Sequence, residues 1–540
     1  MGLDIVQFLE NKTILVTGAT GFLAKTTLSL SLSFSLGTIL VMGATGSLSL
    51  SLSLLPPPPP ALFVEKLLRI QPNVKKMYVF ILAISLIRAM DKQAATQRLH
   101  EELIQKKLFG ILREEWAENF NSIVEKLSPI PGDVSCENLG VHDFDLRSEM
   151  WREIDIIVSS AATTKFDERY DIALAVNTFG AKHVAEFAVR CVNIKMLLHI
   201  STAYVCGNMT GIIQENAFSM GETLNRSRKL DVNEEKLLVE ELMNELRERN
   251  ASEREITIAL KKLGLQRARL HGWPNTYTLT KAMGEMMVQH HLKQNIPLAV
   301  MRSTIITSTY QEPFAGWIEG FPPRTMDSIA INYGRGRLEY FLGKPDAILD
   351  TIPVDMVVNV MIVAMAVHAN PTNSNKIYHV GSSRKHPLTY SDLQDIVCSY
   401  FKDNPWINED GKPVKVREPK VMGSMASFRK HVRCYILMSK VLKVASSVFG
   451  GYFQGLHADL DKKVNLAVRL AELYEPYIFS TGSMHWPIFD DTNTMTMRDT
   501  AFNSGVNSES VFYFDPRCMD WEDYFERSHL PGVVKAFKHK

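Results

Sequence analysis

The stretch TILVTGATGFLA, Thr13 to Ala24, decides how the rest of the chain is read. Thr13 to Thr17 is a β-branched, apolar run of the length of a buried parallel strand, and it breaks into Gly18-Ala19-Thr20-Gly21 before Phe22-Leu23-Ala24. A strand, a glycine turn and a helix start bring backbone N–H groups and a helix N-terminus up to a pyrophosphate. The spacing GxxGxxA matches the short-chain dehydrogenase arrangement better than GxGxxG. By itself the motif is weak, and a plain strand-turn reads the same way.

The stretch is nearly repeated as TILVMGATG, Thr38 to Gly46, inside a block of Leu-Ser alternation that ends in five prolines, Pro56 to Pro60. No charged residue stands between Lys25 and Glu65. The block has strand period without β-branched content, its proline run is not expected in a helix, and its many serines set it apart from a lipid-spanning segment. From Leu62 the chain resumes with an amphipathic helix end, a turn at Pro72-Asn73 and a second buried strand. Joining GFLAK directly to LFVEKLLR restores one helix between two strands. Residues 26–60 are therefore read as an insertion and Gly43 and Gly46 as a decoy, with the first glycine turn the working copy.

The bulk numbers exclude several classes of function. Sixty Lys and Arg face 59 acidic residues across 540, so no global field draws nucleic acid or an anionic membrane. Six scattered cysteines (Cys136, Cys191, Cys206, Cys398, Cys434, Cys518) show neither CxxC nor metal-ligand spacing, which indicates a reducing compartment and no metal. The N-terminal residues read neither as a signal nor as a transit peptide.

Further candidates follow in chain order. Asp133-Val134 in PGDVS offers an acid and a backbone N–H to an adenine edge, or is a surface turn. After a strand over Ile154–Val158, Ala161-Ala162-Thr163 provides small residues against which a cofactor can lie, or is a strand end. Asn177 is read equally as a helix cap and as the anchor of a proton-relay water. KMLLHISTAYVCG delivers Ser201 and Thr202 to the carboxyl end of a strand, where open α/β sheets bind ligands. In NTYTLTKAMGE, Tyr277 and Lys281 stand at i and i+4 on a helix whose other face is Leu279, Met283 and Met286. A nearby ammonium is expected to lower the phenol pKa. A glycine turn, a Ser/Thr-ended strand and YxxxK in that order are hard to obtain by chance. Cys206 is read as a small buried thiol.

With these residues assembled, the chain resembles the alcohol-forming fatty acyl-CoA reductases, especially the plant members, within the extended short-chain dehydrogenases. The resemblance is carried by NKTILVTGATGFLAK, FVEKLLRIQPNVKKMYV, SSAATTKFDERYD, NTFGAKHVAEFA, HISTAYVCG, YTLTKAMGE, FLGKPDAILDTIPVDMVVN and DWEDYFERSHLPGVVK, and covers nearly everything outside the insertion. It implies an α/β Rossmann-type doubly wound parallel sheet over residues 1–383 and a mostly helical domain over 384–540 that accommodates the acyl chain. It implies NADPH-dependent reduction of long-chain acyl-CoA to a primary alcohol through a bound aldehyde, in wax, cutin or suberin synthesis. Gly18, Thr20, Gly21, Phe22 and Leu23 would hold the pyrophosphate, and Arg88 the 2′-phosphate. Thr202, before Ser201, would be the catalytic hydroxyl, and Tyr277 and Lys281 the catalytic pair, Lys281 also binding the ribose. Peripheral association with the endoplasmic reticulum and a homo-oligomer are further expectations. A sterol dehydrogenase or sugar epimerase, and a product inactivated by the insertion, are the alternatives. Asp231 to Lys262 reads as two solvated helices, secondarily a lid.

Overall fold

Strands that are apolar on both faces need helices on both sides of their sheet. Thr13–Val16 (β1), Ile156–Ser159 (β4), Met196–Thr202 (β5) and Leu298–Ser303 (β6) are buried at every residue. The computed structural model describes residues 4–18, 59–82, 92–226, 229–292, 295–318, 325–338, 340–368, 375–448, 453–478, 486–503 and 507–538. With Lys76–Leu82 (β2), Leu127–Gly132 (β3) and Lys376–Val380 (β7), these strands form a seven-stranded sheet in the order β3-β2-β1-β4-β5-β6-β7. All six pairings are parallel. This is the doubly wound fold expected from the sequence, and its order reverses between β1 and β4, where such sheets open a crevice.

Alternate residues along each strand feed two cores. Ile14, Val16, Val79, Val158 and Ile200 face the helices Pro59–Ile70 and Val354–His368, while Leu15, Tyr78, Ile157 and Leu197 face Gly180–Arg190. Val354–His368, the run VDMVVNVMIVAMAVH, is buried almost throughout, so its apolarity belongs to the core. No helix among the described residues is long and apolar enough to cross a membrane.

Two expectations need correction. The last two prolines of the run open the helix Pro59–Ile70, because a first-turn residue needs no N–H partner and proline's fixed φ suits that position. The helices Val232–Glu248 and Glu253–Leu270 are not simply solvated. Their inner faces place Val232, Val239, Leu246, Ile256 and Leu260 in one core with Trp273, Leu279 and Met283. Within that core Glu235 is fully buried and accepts from Tyr170 Oη at 2.7 Å and Arg267 Nε at 2.9 Å, with His271 Nε2 at 3.0 Å.

Beyond residue 383 come the helix Tyr390–Asp403 and a long hairpin of Met425–Val448 and Gln454–Ile478. The chain then returns to the elements that follow the sheet strands. Pro487–Phe489 pairs with Gly211–Ile213, Asn359 Nδ2 donates to Tyr513 O at 2.7 Å, and the Tyr524 hydroxyl donates to Thr307 Oγ1 at 2.7 Å.

The Glu235 cluster generates a stability prediction. Burial pushes this carboxylate up, but hydrogen bonds from His271, Arg267 and Tyr170 outweigh it and hold its pKa at about 2, below the ordinary 4.5. A group depressed on folding stabilises fully above its unfolded value, and the contribution, of order 3 kcal/mol, is lost as pH falls through about 2. Glu235→Ala leaves the buried Tyr170 and His271 and the partly buried Arg267 guanidinium without their acceptor and is expected to lower the unfolding free energy by about 3 kcal/mol in urea titrations at pH 7. The variant's deficit should shrink below pH 4.

Candidate active site

The carboxyl ends of β1 and β4 are fastened together by Thr17. Its Oγ1 accepts from Ser160 N at 3.0 Å and Ala161 N at 3.1 Å, and its own N–H donates to Val158 O at 3.0 Å. Gly18 follows at φ +85°, a conformation that disfavours a side chain, and a Cβ there would stand 2.9 Å from Ala161 N. The glycine therefore lets the chain leaving β1 pass against the backbone after β4 at the switch point. Thr20, Gly21, Phe22, Leu23 and Arg88 lie outside the described residues, as does the second glycine turn.

The helix Thr276–His291 runs beside β5 with its N-terminus at the strand ends. Asn275 caps it, its Oδ1 accepting from Thr278 N at 3.0 Å. From Thr276 to Val288 every residue is buried except Tyr277, which keeps part of its surface open to the cleft. The expected apolar face of Leu279, Met283 and Met286 is in the core. Tyr277 stacks on Phe166, ring centroids 5.8 Å apart, and the Thr202 hydroxyl, which donates to Ser303 O at 3.4 Å, lies close to its phenol. Burial pushes the phenol pKa up and the Thr202 contact only opposes this, so the group is a protonated acid at neutral pH.

Lys281 differs from the sequence expectation. Its Nζ donates to Ile200 O at 2.6 Å, and it does not lower the Tyr277 pKa. Burial brings its own pKa down to about 8, against the attraction of Glu285. Glu285, one turn further along, is fully buried and grips Arg302 with Nη2–Oε2 at 2.7 Å and Nε–Oε1 at 3.1 Å. Ser201 donates to the same carboxylate, two turns along the helix from Tyr277, leaving Thr202 as the hydroxyl beside the phenol.

Asn177 sits in mid-helix, in a π-turn over Leu174–Phe179, and caps nothing. Its Oδ1 accepts from Thr163 N at 2.9 Å, and its Nδ2 donates to Thr163 O at 2.9 Å and Thr280 Oγ1 at 3.0 Å. The amide thus clamps the loop after β4 to the Tyr277 helix. Gly284 permits the approach, since a Cβ there would meet Asn177 O at 2.3 Å. Thr163 is buried, while Ala161 and Ala162 border the cleft. Asp133 follows β3 directly, its Oδ1 accepting from Ser135 N at 2.8 Å, and the Val134 side chain is core. Sequence reasoning passed over Thr17, Phe166, Glu285 and Arg302. Of these, Glu285 was visible as the next i+4 position after Lys281.

From Phe166 and Tyr204 a cavity of about 160 Å³ runs away from the strand ends between Ile305, Phe341, Leu393 and Phe525. Asp327 and His529 meet at its wall at 2.9 Å. Among the described residues no cluster of His, Cys, Asp and Glu suits a metal ion. Cys206 is buried, its thiol pushed up to about 12 by desolvation.

Residues 61–361 match the family model of the NAD-binding male sterility protein domain, so a nicotinamide cofactor belongs to this site. The chain is 44% identical over 537 residues to probable fatty acyl-CoA reductase 4 of Arabidopsis thaliana, covering 99% of both. It is 45% identical over 535 residues to the alcohol-forming fatty acyl-CoA reductase of Simmondsia chinensis, covering 98% of both. The reductase domain of a nonribosomal peptide synthetase from Mycobacterium tuberculosis superposes with a TM-score of 0.54 at 16% identity, over 100% of this chain and 93% of that one, which shows a shared fold. The chain belongs to the fatty acyl-CoA reductase family.

Proposed function

We propose that this chain reduces a long-chain fatty acyl-CoA to the primary alcohol with NADPH, by way of an aldehyde that stays bound. The observation that carries the reading is the Tyr277–Thr202 pair at the strand ends, opening past Phe166 into an apolar cavity. Family membership favours it over a sterol dehydrogenase or a sugar epimerase.

The positive φ and close backbone approach at Gly18 fit a glycine turn that takes a pyrophosphate, and Thr20, Gly21, Phe22 and Leu23 continue that turn in sequence. Asp133 and Val134 border the adenine end, Ala161, Ala162 and Thr163 lie along the cofactor, and Arg88 is the proposed 2′-phosphate ligand. NADPH supplies a hydride in each of the two steps. The Thr202 and Tyr277 hydroxyls donate to the thioester oxygen as charge develops there, and coenzyme A leaves as thiolate. In the second step Tyr277 protonates the alkoxide. Lys281, held by Ile200 O, is the proposed ligand of the cofactor ribose. Ser201 acts through Glu285, its hydrogen-bond partner on the Tyr277 helix, and Asn177 positions that helix. The cavity walls support a role for residues 384–540 in housing the acyl chain, because Leu393, Val397, Phe489 and Phe525 line it together with Ile305 and Phe341. Wax, cutin or suberin synthesis is the proposed destination, and the endoplasmic reticulum surface the proposed place.

Two experiments test this. Fatty alcohols in a host expressing the chain, measured by gas chromatography, are expected from the wild type or from a deletion of 26–60. The deletion removes Pro59 and Pro60 because they would otherwise fall inside the restored helix. Tyr277→Phe should lower turnover by roughly 10²- to 10⁴-fold. Alcohol from the deletion alone would assign catalysis to the first glycine turn and inactivity to the insertion. Failure of both accumulated proteins would refute the reductase reading.

The second experiment is a pH profile. The Lys281 ammonium is charged below about 8 and neutral above it, so kcat/KM should fall on a basic limb near pH 8. Lys281→Arg should shift that limb upward, because a guanidinium stays charged. An unshifted limb would remove Lys281 from the mechanism.

A further inference from the structure

The helix Met425–Val448 carries Arg429, Lys430, Arg433, Lys440 and Lys443 and has no acidic residue in its 24 positions. Its inner face, with Phe428, Val432, Tyr435 and Ser439, packs toward the helix Gln454–Ile478 and the strand Tyr340–Leu342. On the opposite side Leu437 is 64% exposed, Val441 59% and Val444 63%. These three stand at i, i+4 and i+7, one stripe aimed straight away from the protein, with Met438 beside it at 48%. Isolated exposed apolar residues are ordinary, but a contiguous stripe flanked by cations on one helix is not.

Charge decides what covers it. All five cations are exposed, and among the described residues none is paired with a carboxylate. A cationic polar margin around an apolar stripe suits a surface of anionic headgroups over acyl chains, into which the lysine stems can extend while their ammonium groups stay at the phosphates.

The interior supplies an independent argument. A small second cavity lies at the base of the hairpin, walled by Phe428 and by Ala467, Leu470 and Ala471. It shares Ile329, Phe341 and Tyr390 with the large cavity that begins at Phe166. Apolar walls therefore continue from the stacking partner of Tyr277 to the underside of the cationic helix.

We propose that the outward face of Met425–Val448 docks on an anionic lipid bilayer, and that the hairpin turns the far end of the apolar cavity toward that bilayer. The second clause rests on the acyl-CoA reading; the first does not. Full-length protein would be floated with vesicles of phosphatidylcholine alone and of phosphatidylcholine with phosphatidylserine, at low and at physiological salt. Binding to the phosphatidylserine vesicles is expected, weakened by salt. Lys440→Gln with Lys443→Gln should lower the partition coefficient about fivefold per cation removed. Leu437→Ser with Val441→Ser and Val444→Ser should abolish binding, while turnover of a water-soluble short-chain acyl-CoA, which also reports folding, stays at the wild-type level. Wild-type protein that does not float, or variants that float as the wild type does, would overturn the proposal. So would a wild-type dimer in sedimentation velocity that the triple variant converts to monomer, because a second copy would then cover the stripe. Flotation without acyl-CoA turnover by either the full chain or the deletion of 26–60 would leave the docking face standing and refute the reductase reading alone.

Discussion

One hydroxyl sets the geometry on which the site depends. Thr17 Oγ1 takes the N–H groups of both Ser160 and Ala161, fixing the separation of β1 and β4 at the point where the strand order reverses. Elsewhere along the sheet, backbone polar groups are consumed by parallel neighbours and side chains by two apolar cores, so chemistry is confined to the strand ends. Gly18 then removes the one atom that would collide with Ala161. The crevice results from a fixed gap with its obstructing side chain deleted, and Asn177 repeats the device one layer away by tying the β4 loop to the Tyr277 helix.

Behind that crevice lies a concentration of buried charge. Lys281, Glu285 and Arg302 are each at most 4% exposed, and isolated ions there would be costly enough to neutralise. Glu285 prevents this by facing Arg302 in fork geometry, accepting from Ser201 and attracting Lys281 from one helical turn away. Burial still lowers the lysine to about 8, so its charge is retained at neutral pH with little margin. Tyr277 is pushed the other way and keeps its proton until an alkoxide demands it. The two groups are tuned in opposite senses by one cause, desolvation.

Much of this was legible in the sequence, for definable reasons. Strand-turn punctuation, the order of motifs and the i, i+4 spacing of Tyr277 and Lys281 are local signals, and local signals gave the doubly wound sheet, the helix face and the strand end that carries Thr202. Errors arose where a residue's role depends on what a distant segment places beside it. Asn177 looked like a cap because its partners Thr163 and Thr280 are 14 and 103 residues away. Ser201 and Thr202 were indistinguishable in sequence, yet Ser201 is taken up by Glu285 while Thr202 stands beside the phenol. The charged pair of helices looked solvated because Glu235 reads as one more surface acid until Arg267, His271 and Tyr170 converge on it.

Sheet topology also bears on the duplicated glycine turn. A strand ending in a phosphate-binding turn works only if it occupies the central position, paired on both edges, so that its carboxyl end faces the crevice. Thr13–Val16 holds that position, registered with Lys76–Val79 on one side and with Ile156–Val158 on the other. Both edges are saturated, so TILV at Thr38–Val41 cannot enter without expelling an identical sequence. Expulsion would gain nothing in side-chain packing, because the four residues are the same. It would also break the tether of Ile5 to Asn507 at 2.9 Å, which holds the first copy's leading segment to a distant part of the chain. Equal strands with unequal flanks leave the first copy in place, and the cofactor cradle with it.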